Sequence, residues 1–299
     1  MKLTVEDADR VDKALAKFFP EAGRRQLAQL FDDGCVRVAG KLAKKGDRVV
    51  IGDVIELSRE PVSGEALRPA PDPEVPIIVL LERSDIVVVN KPAGIPSQPL
   101  RAGELGTIAN GIVHRYPECV AIGSAASGGS DERDGGLAHR LDIGTSGVLV
   151  AARTVEAHRA LRDAFGAGLV HKDYLALVQA RPVSRECDAP LAQRGKRVIV
   201  DQTDGLAAYT AFTVEKATET HALVRCVAQS GRMHQVRAHL AHVGSPIVGD
   251  ELYGGAPLAS FEGFFLHAAK IVLPDQTTIE APLPERFVRA LHQLSLSGL

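Results

Sequence analysis

The spacing of apolar residues changes several times along this chain, and each change marks an element. Val11, Leu15 and Phe18 recur at helical spacing and Pro20 closes the run, so a helix is predicted after Ala8. A second helix is predicted from about Gly23 to Phe31, with Leu27 and Leu30 inward. Gly34 then introduces short alternating segments, Val36-Arg37-Val38, Val49-Val50-Ile51 and Val54-Ile55-Glu56-Leu57, which read as strands. Further on the segments lengthen. Strands are predicted at 77–82, 85–90, 147–152, 173–179, 207–214, 221–229 and 264–272. Helices are predicted at about 106–115, 154–166, 233–243 and 284–294. Strands that follow one another directly, without regular βαβ alternation, predict an α+β fold. Its larger part is a mixed, mainly antiparallel sheet with flanking helices. No internal repeat is visible.

Two stretches break the pattern. PVSGEALRPAPDPEV, residues 61–75, holds four prolines and no periodicity. It predicts a small helix-and-strand domain over 1–62, a linker over 63–75 and a larger domain over 76–299. The second, Gly123 to Gly136, is rich in Gly and Ser and reads as a loop.

Composition adds limits. At 45% hydrophobic and 24% charged residues, the chain can bury a substantial core. Its net charge of −2 announces no nucleic-acid partner, although a local basic face can still bind phosphate. Arg24, Arg25, Arg37, Lys41, Lys44 and Lys45 cluster in the first unit, while its acids fall mainly at Glu6–Asp12 and Asp32-Asp33. A phosphate-binding face is the expectation; the alternative is a merely solvated one. The four cysteines are widely spaced without a CxxC pair, which favours reduced thiols over zinc or disulfides. The first ten residues lack the apolar run of a signal peptide, and no apolar run approaches ~18 residues. A cytoplasmic protein that does not enter a membrane is expected.

The familiar catalytic patterns GxGxxG, GxxxxGK[ST], GxSxG and HExxH are absent. His234, His239 and His242 are the densest histidine group, but His234 lies roughly 140° around a helix from His239, and no carboxylate stands in their run. No metal site is expected, and these histidines read as polar decoration beside the stripe Met233, Val236, Leu240 and Val243. Three other residues stand out. Asp142 follows Arg140 and precedes the turn Gly144-Thr145-Ser146-Gly147, after which the chain becomes continuously apolar through Ala152. It is a carboxylate at the rim of a core. Taken singly, Asp142 reads as a turn residue, Tyr174 as a core aromatic and Arg237 as a surface cation.

Taken together they match a pattern. HRLDIGTSGVLV (139–150) resembles the catalytic motif of pseudouridine synthases of the large-subunit ribosomal RNA type, a family sharing HRLDxxTSG. NKPAG (90–94), KDYLALV (172–178), GRMHQVRAHLAHVGSPIVGDELYG (231–254) and FLHA (265–268) resemble four further motifs, in the family's order. The N-terminal unit is similar to the small RNA-binding domain of ribosomal protein S-four. Met233 and Gln98 depart from the Thr/Ser and His usual at their positions.

The resemblance implies an isomerase that converts specific uridines to pseudouridine in RNA, with ribosomal RNA the first expectation and transfer RNA possible within the same function. It breaks the glycosidic bond, turns the uracil and rejoins it through a ring carbon. No redox step occurs, so no cofactor is implied, and a monomer is expected. Asp142 would be the catalytic carboxylate, with attack on the anomeric carbon, abstraction of the neighbouring sugar proton and addition to the ring all open to it. A carboxylate walled by apolar strand tends to take up a proton, and a guanidinium opposes this. Arg237 is the implied partner, Tyr174 would stack on the uracil, and Arg140 would help displace the base. The Gly144–Gly147 turn would let backbone approach a nucleotide.

Overall fold

In the computed structural model, residues 1–20, 22, 24–61, 67–123 and 132–296 are described. Most of the Gly/Ser-rich loop and part of the Pro-rich stretch therefore lie outside the described residues. So do the side chains of Arg24 and Arg25.

The first unit comprises β1 (Lys2–Thr4), β2 (Asp9–Arg10), α1 (Val11–Phe18), α2 (Arg24–Asp32), β3 (Val36–Val38), β4 (Lys41–Leu42), β5 (Arg48–Val49) and β6 (Val54–Leu57). Its main sheet runs β1-β6-β3-β4, and β2 pairs with β5, every pairing antiparallel. Val11, Leu15, Leu27 and Leu30 of the two helices pack on Val36, Val49 and Ile55. The amphipathic spacing thus does what it predicts: one apolar stripe per helix covers one sheet face. Two details differ. β1 has only one apolar residue, so period-two alternation could not announce it; its pairing with β6 and the Lys2–Glu56 contact at 2.9 Å secure it. Val50 and Ile51, expected in a strand, form an exposed turn in which Val50 N donates to Asp53 Oδ2.

The larger body contains β7 (Val79–Glu82), β8 (Ile86–Lys91), α3 (Ile108–Arg115), β9 (Ser146–Ala152), α4 (Val155–Gly166) and β10 (His171–Gln179). It continues through β11 (Glu186–Cys187), β12 (Leu191–Arg194), β13 (Arg197–Val200), β14 (Thr210–Ala217), β15 (His221–Ala228) and α5 (Gln235–His242). β16 (Leu266–Val272), β17 (Thr278–Glu280) and α6 (Glu285–Gln293) complete it. The sheet order is β11-β14-β15-β10-β16-β9-β8-β7, with β17 on β16. Every pairing is antiparallel except β9 with β16. This is the expected α+β architecture, and the parallel seam is its key feature. It is short, His267 opposite Ser146 and Ala268 opposite Gly147. Gly147 adopts φ +114°, and a Cβ there would collide with the Ala268 carbonyl. The catalytic-type motif enters the sheet at this seam.

β9 is buried at all seven positions because both faces are covered. Leu149 and Ala151 face a core with Ile108 and Ile112 of α3; Val148 and Val150 face one with Leu161 and Ala164 of α4. Both helices begin at a threonine: Thr107 accepts from Asn110 N, and Thr154 from Ala157 N. The stretch read as a linker does not run free over its described part. Val75 joins the α3 core, Asp72 Oδ2 accepts from Gly106 N, and Asn110 Nδ2 donates to Ala70 O. β11, β12, β13 and β17 escaped the periodicity because they are two to four residues long. No helix among the described residues is long and apolar enough to cross a membrane.

Candidate active site

Three of the motif segments converge on the loop that carries Asp142. Lys91, at the end of β8, is fully buried and its ammonium donates to the carbonyls of Pro92 (3.0 Å), Ile143 (3.0 Å) and Thr145 (2.7 Å). Gly94 N also donates to Ile143 O, and Ser97 Oγ bonds both the carbonyl and the N–H of Leu141. On the far side, His267 Nε2 donates to Ala281 O, which leaves Nδ1 to accept from the Ser146 hydroxyl at 2.9 Å. The loop is therefore fastened at Leu141, Ile143, Thr145 and Ser146. Burial lowers the Lys91 ammonium to about 7, against the opposing charge of Asp142.

The partner comes from α5, 95 residues away. Arg237 Nη1 donates to Asp142 Oδ2 at 2.9 Å, and its Nε and Nη2 fork onto Asp250 at 2.7 and 2.8 Å. The guanidinium lies over the rings of Phe264 (4.4 Å) and Tyr253 (5.0 Å). Side-chain exposure falls from 26% at Asp142 to 7% at Arg237 and 1% at Asp250. Burial opposes the charge of Arg237, but Asp250 and then Asp142 outweigh it and hold the group above its ordinary value. Asp250 thus locks the guanidinium, and the guanidinium presents one N–H to a carboxylate that still reaches solvent.

Tyr174 lies on β10, half-buried between the core behind β9 and that under α5. Removal from water, and then the charge of Asp142, raise its phenol above the ordinary value, so it stays neutral. Tyr174, Gln98, Arg140, Arg162, Lys172 and Arg232 line a cleft of about 1290 Å³. Arg140 is exposed at its lip. Arg37, Lys41, Lys44 and Lys45 lie elsewhere, exposed on the first unit, where Arg37 Nη1 donates to Gly40 O.

Several site residues escaped the sequence reading. Asp250 stood in a quoted motif without a role; the signal was that an arginine on a helix's apolar side needs a buried counter-ion. His234 reads as decoration by spacing, yet φ +52° turns it toward the site, with Nδ1 3.0 Å from Tyr253 Oη and Nε2 3.9 Å from Asp142 Oδ1. Tyr253 Oη already accepts from Val198 N, so its own proton is free for Nδ1. His239 is no decoration either: it is fully buried, with Nε2 donating to Ala189 O and Nδ1 accepting from Thr210 Oγ1. Among the described residues no group of three His, Cys, Asp or Glu is placed to hold a metal ion. The glycines of the Gly144–Gly147 turn are required by internal packing. A Cβ on Gly144 would overlap the Phe264 ring, as one on Gly147 would overlap Ala268.

Comparison with known proteins gives this geometry its setting. The family model described as RNA pseudouridylate synthase matches residues 85–242, which hold Asp142, Tyr174 and Arg237. The chain is 33% identical over 306 residues to the ribosomal large subunit pseudouridine synthase D of Xanthomonas campestris, covering 95% of this chain and 88% of that one. It is also 33% identical over 309 residues to the protein of the same name from Pseudomonas aeruginosa, covering 95% and 92%. The structure of human RNA pseudouridylate synthase domain containing 4 superposes with a TM-score of 0.57 at 23% identity, covering 74% of this chain and 94% of that one, and so shares the fold. By the family match and by relatives aligned along nearly its whole length, the chain belongs to the RNA pseudouridylate synthase family.

Proposed function

We propose that this RNA pseudouridine synthase modifies specific uridines of large-subunit ribosomal RNA, with Asp142 as its reacting carboxylate. The observation that carries the reading is the Asp142–Arg237–Asp250 array, whose outer member Asp142 is 26% exposed and stands two residues after Arg140, which lines a cleft together with Tyr174. The names of the relatives support the ribosomal target.

The chemistry asks the protein to break a C–N bond without losing the base, turn the uracil and form a C–C bond. Arg237 occupies Oδ2 of Asp142, so Oδ1 is the oxygen left for the sugar or the ring. His234 faces that same oxygen through Nε2 and is proposed as a support for it. Tyr174 offers an apolar face for the detached uracil, and its neutral phenol adds no charge beside the carboxylate. The target must first leave its stack, at a cost of a few kcal/mol. Arg140, exposed at the cleft lip, is proposed to fill or hold the vacated place.

The first unit, residues 1–62, is proposed as an RNA-binding domain joined through 63–75 to the catalytic domain over 76–299. Arg37, Lys41, Lys44 and Lys45, with Arg24 and Arg25 at the start of α2, would give phosphate contacts that orient without reading sequence. Because one chain supplies Asp142, Arg237 and Asp250, the site needs no second copy, and the enzyme is proposed to act as a monomer. The names of its bacterial ribosomal relatives support a cytoplasmic location.

The test uses RNA transcripts labelled with tritium at uracil C5, since the ring carbon that gains the new bond must lose its hydrogen. Release of tritium to water from a large-subunit ribosomal transcript, at discrete mapped positions, is expected. Release from transfer RNA alone would move the target, and release from neither would overturn the reading.

A further inference from the structure

Lys172 is a buried cation with almost nothing to hold. It lies on β10 two residues before Tyr174, and both line the cleft. The residue is 5% exposed. An ammonium has three N–H groups to satisfy. Here one donates to Ser230 O at 3.0 Å, and the group stands 5.9 Å from the Phe165 ring. Among the described residues no carboxylate forms an ion pair with it. Asp173, next in sequence, pairs instead with His171 and Arg225. Burial alone lowers the ammonium to about 8, with no acid to offset it.

A folded chain does not keep a desolvated, unpaired charge without a reason, since the same stem ending in an apolar group would be easier to bury. Lys91 shows the contrast: it is buried more deeply still, but three carbonyls occupy it. The surroundings of Lys172 indicate what would complete it. Arg140, Arg162 and Arg232 line the same cleft, while its acids are Asp134 and Asp188. A strand rises about 3.3 Å per residue and alternates faces, so Lys172 stands roughly 6–7 Å along the cleft from Tyr174. That spacing suits a group one linkage away from a base lying on Tyr174.

We propose that Lys172 anchors a backbone phosphate of the RNA strand beside the target uridine, the phosphate supplying the counter-charge that the free protein lacks. This rests on the proposed function, because the uridine beside it is the one at Asp142.

The test pairs Lys172→Met with Lys172→Arg, using a single-stranded oligouridylate of about ten nucleotides and the same oligomer carrying one neutral methylphosphonate linkage at each position in turn. Lys172→Met should melt no lower than wild type, because it removes an uncompensated buried charge. It should bind the oligomer roughly tenfold more weakly, with a salt slope smaller by about one. One neutral linkage should weaken wild-type binding and leave Lys172→Met unaffected, and Lys172→Arg should restore sensitivity to that linkage. A lowered melting temperature with unchanged affinity and slope would overturn the proposal and leave Lys172 as a tether for the turn at Ser230. An equal response of wild type and Lys172→Met to every neutral linkage would overturn it too. Failure of the wild-type enzyme to release tritium from any RNA would count instead against the proposed function.

Discussion

Around Asp142 the charges are buried or half-buried, forked and mutually satisfied, whereas on the first unit Arg37, Lys41, Lys44 and Lys45 stand in water with few fixed partners. The two regions use charge differently. In the buried array each group constrains the next, so one substitution strands the others in a medium that penalises a lone charge. In the exposed cluster each charge contributes a screened, nearly independent increment to a field. The first arrangement can hold an oxygen in one place, and the second can only gather and orient a polyanion. Substitutions should therefore fail in different currencies: turnover and stability in one, salt-dependent affinity in the other.

Arg237→Met should produce the largest break. It strands Asp250 at 1% exposure and strips Asp142 of its cation, so stability should fall by about 3–5 kcal/mol in urea titration. Turnover per folded molecule should fall roughly 10²–10³-fold. Arg237→Lys keeps the charge but cannot fork onto Asp250 while reaching Asp142, so it should recover stability better than turnover.

Tyr174 sharpens the comparison, because it belongs both to a core and to the cleft. Tyr174→Leu removes the face on which a base would lie, worth roughly 1–3 kcal/mol in kcat/KM. Tyr174→Phe should retain most activity if stacking dominates. If Leu mainly lowers the melting temperature and spares turnover, Tyr174 is only a core aromatic. A Phe variant as inactive as Leu would point to the hydroxyl.

Replacing Lys41, Lys44 and Lys45 by Gln should leave the fold intact. It should reduce the slope of log affinity against log salt by up to about three for structured RNA, and the deficit should shift with ionic strength. An unchanged slope would make the cluster a solvated face.

Lys91 is read through pH rather than through turnover or affinity. With its folded value near 7 against 10.5 for the free side chain, the unfolded chain binds more protons there between those limits. Stability should thus rise with pH across that window, most visibly from about pH 7 to 9, and the rise should shrink in Lys91→Met. Lys172 contributes in the same direction, so the double variant should flatten it further.

Much of this architecture can be read from the chain. β8, β9, β10 and β15 announce themselves as apolar runs, and α1 and α3–α6 carry helical spacing that burial enforces. β1 and β11–β13 do not, because a strand of two to four residues, charged in places, is defined by its partner rather than by its own pattern. The described part of the Pro-rich stretch looked unattached because its anchors, Ala70 O, the Asp72 carboxylate and the Val75 side chain, meet partners on and before α3 that its own composition does not announce. The site divides similarly. Asp142, Tyr174 and Arg237 were legible through motifs, but nothing in their spacing brings residues 95 apart to 2.9 Å. Asp250 could have been sought once Arg237 was taken as buried. His234 could not, since its orientation depends on a left-handed backbone at a residue that does not require one.

In the proposed reaction the carboxylate of Asp142, held by Arg237, performs the isomerisation. Asp142→Asn keeps the size and most of the hydrogen-bonding shape of the side chain while removing its charge. The decisive measurement is single-turnover tritium release by this variant from C5-labelled large-subunit ribosomal RNA, alongside binding of the same RNA. Release slowed by more than ~10³-fold, with binding retained, is the expected result. Release within that factor of wild type by a folded, RNA-binding Asp142→Asn enzyme would contradict it.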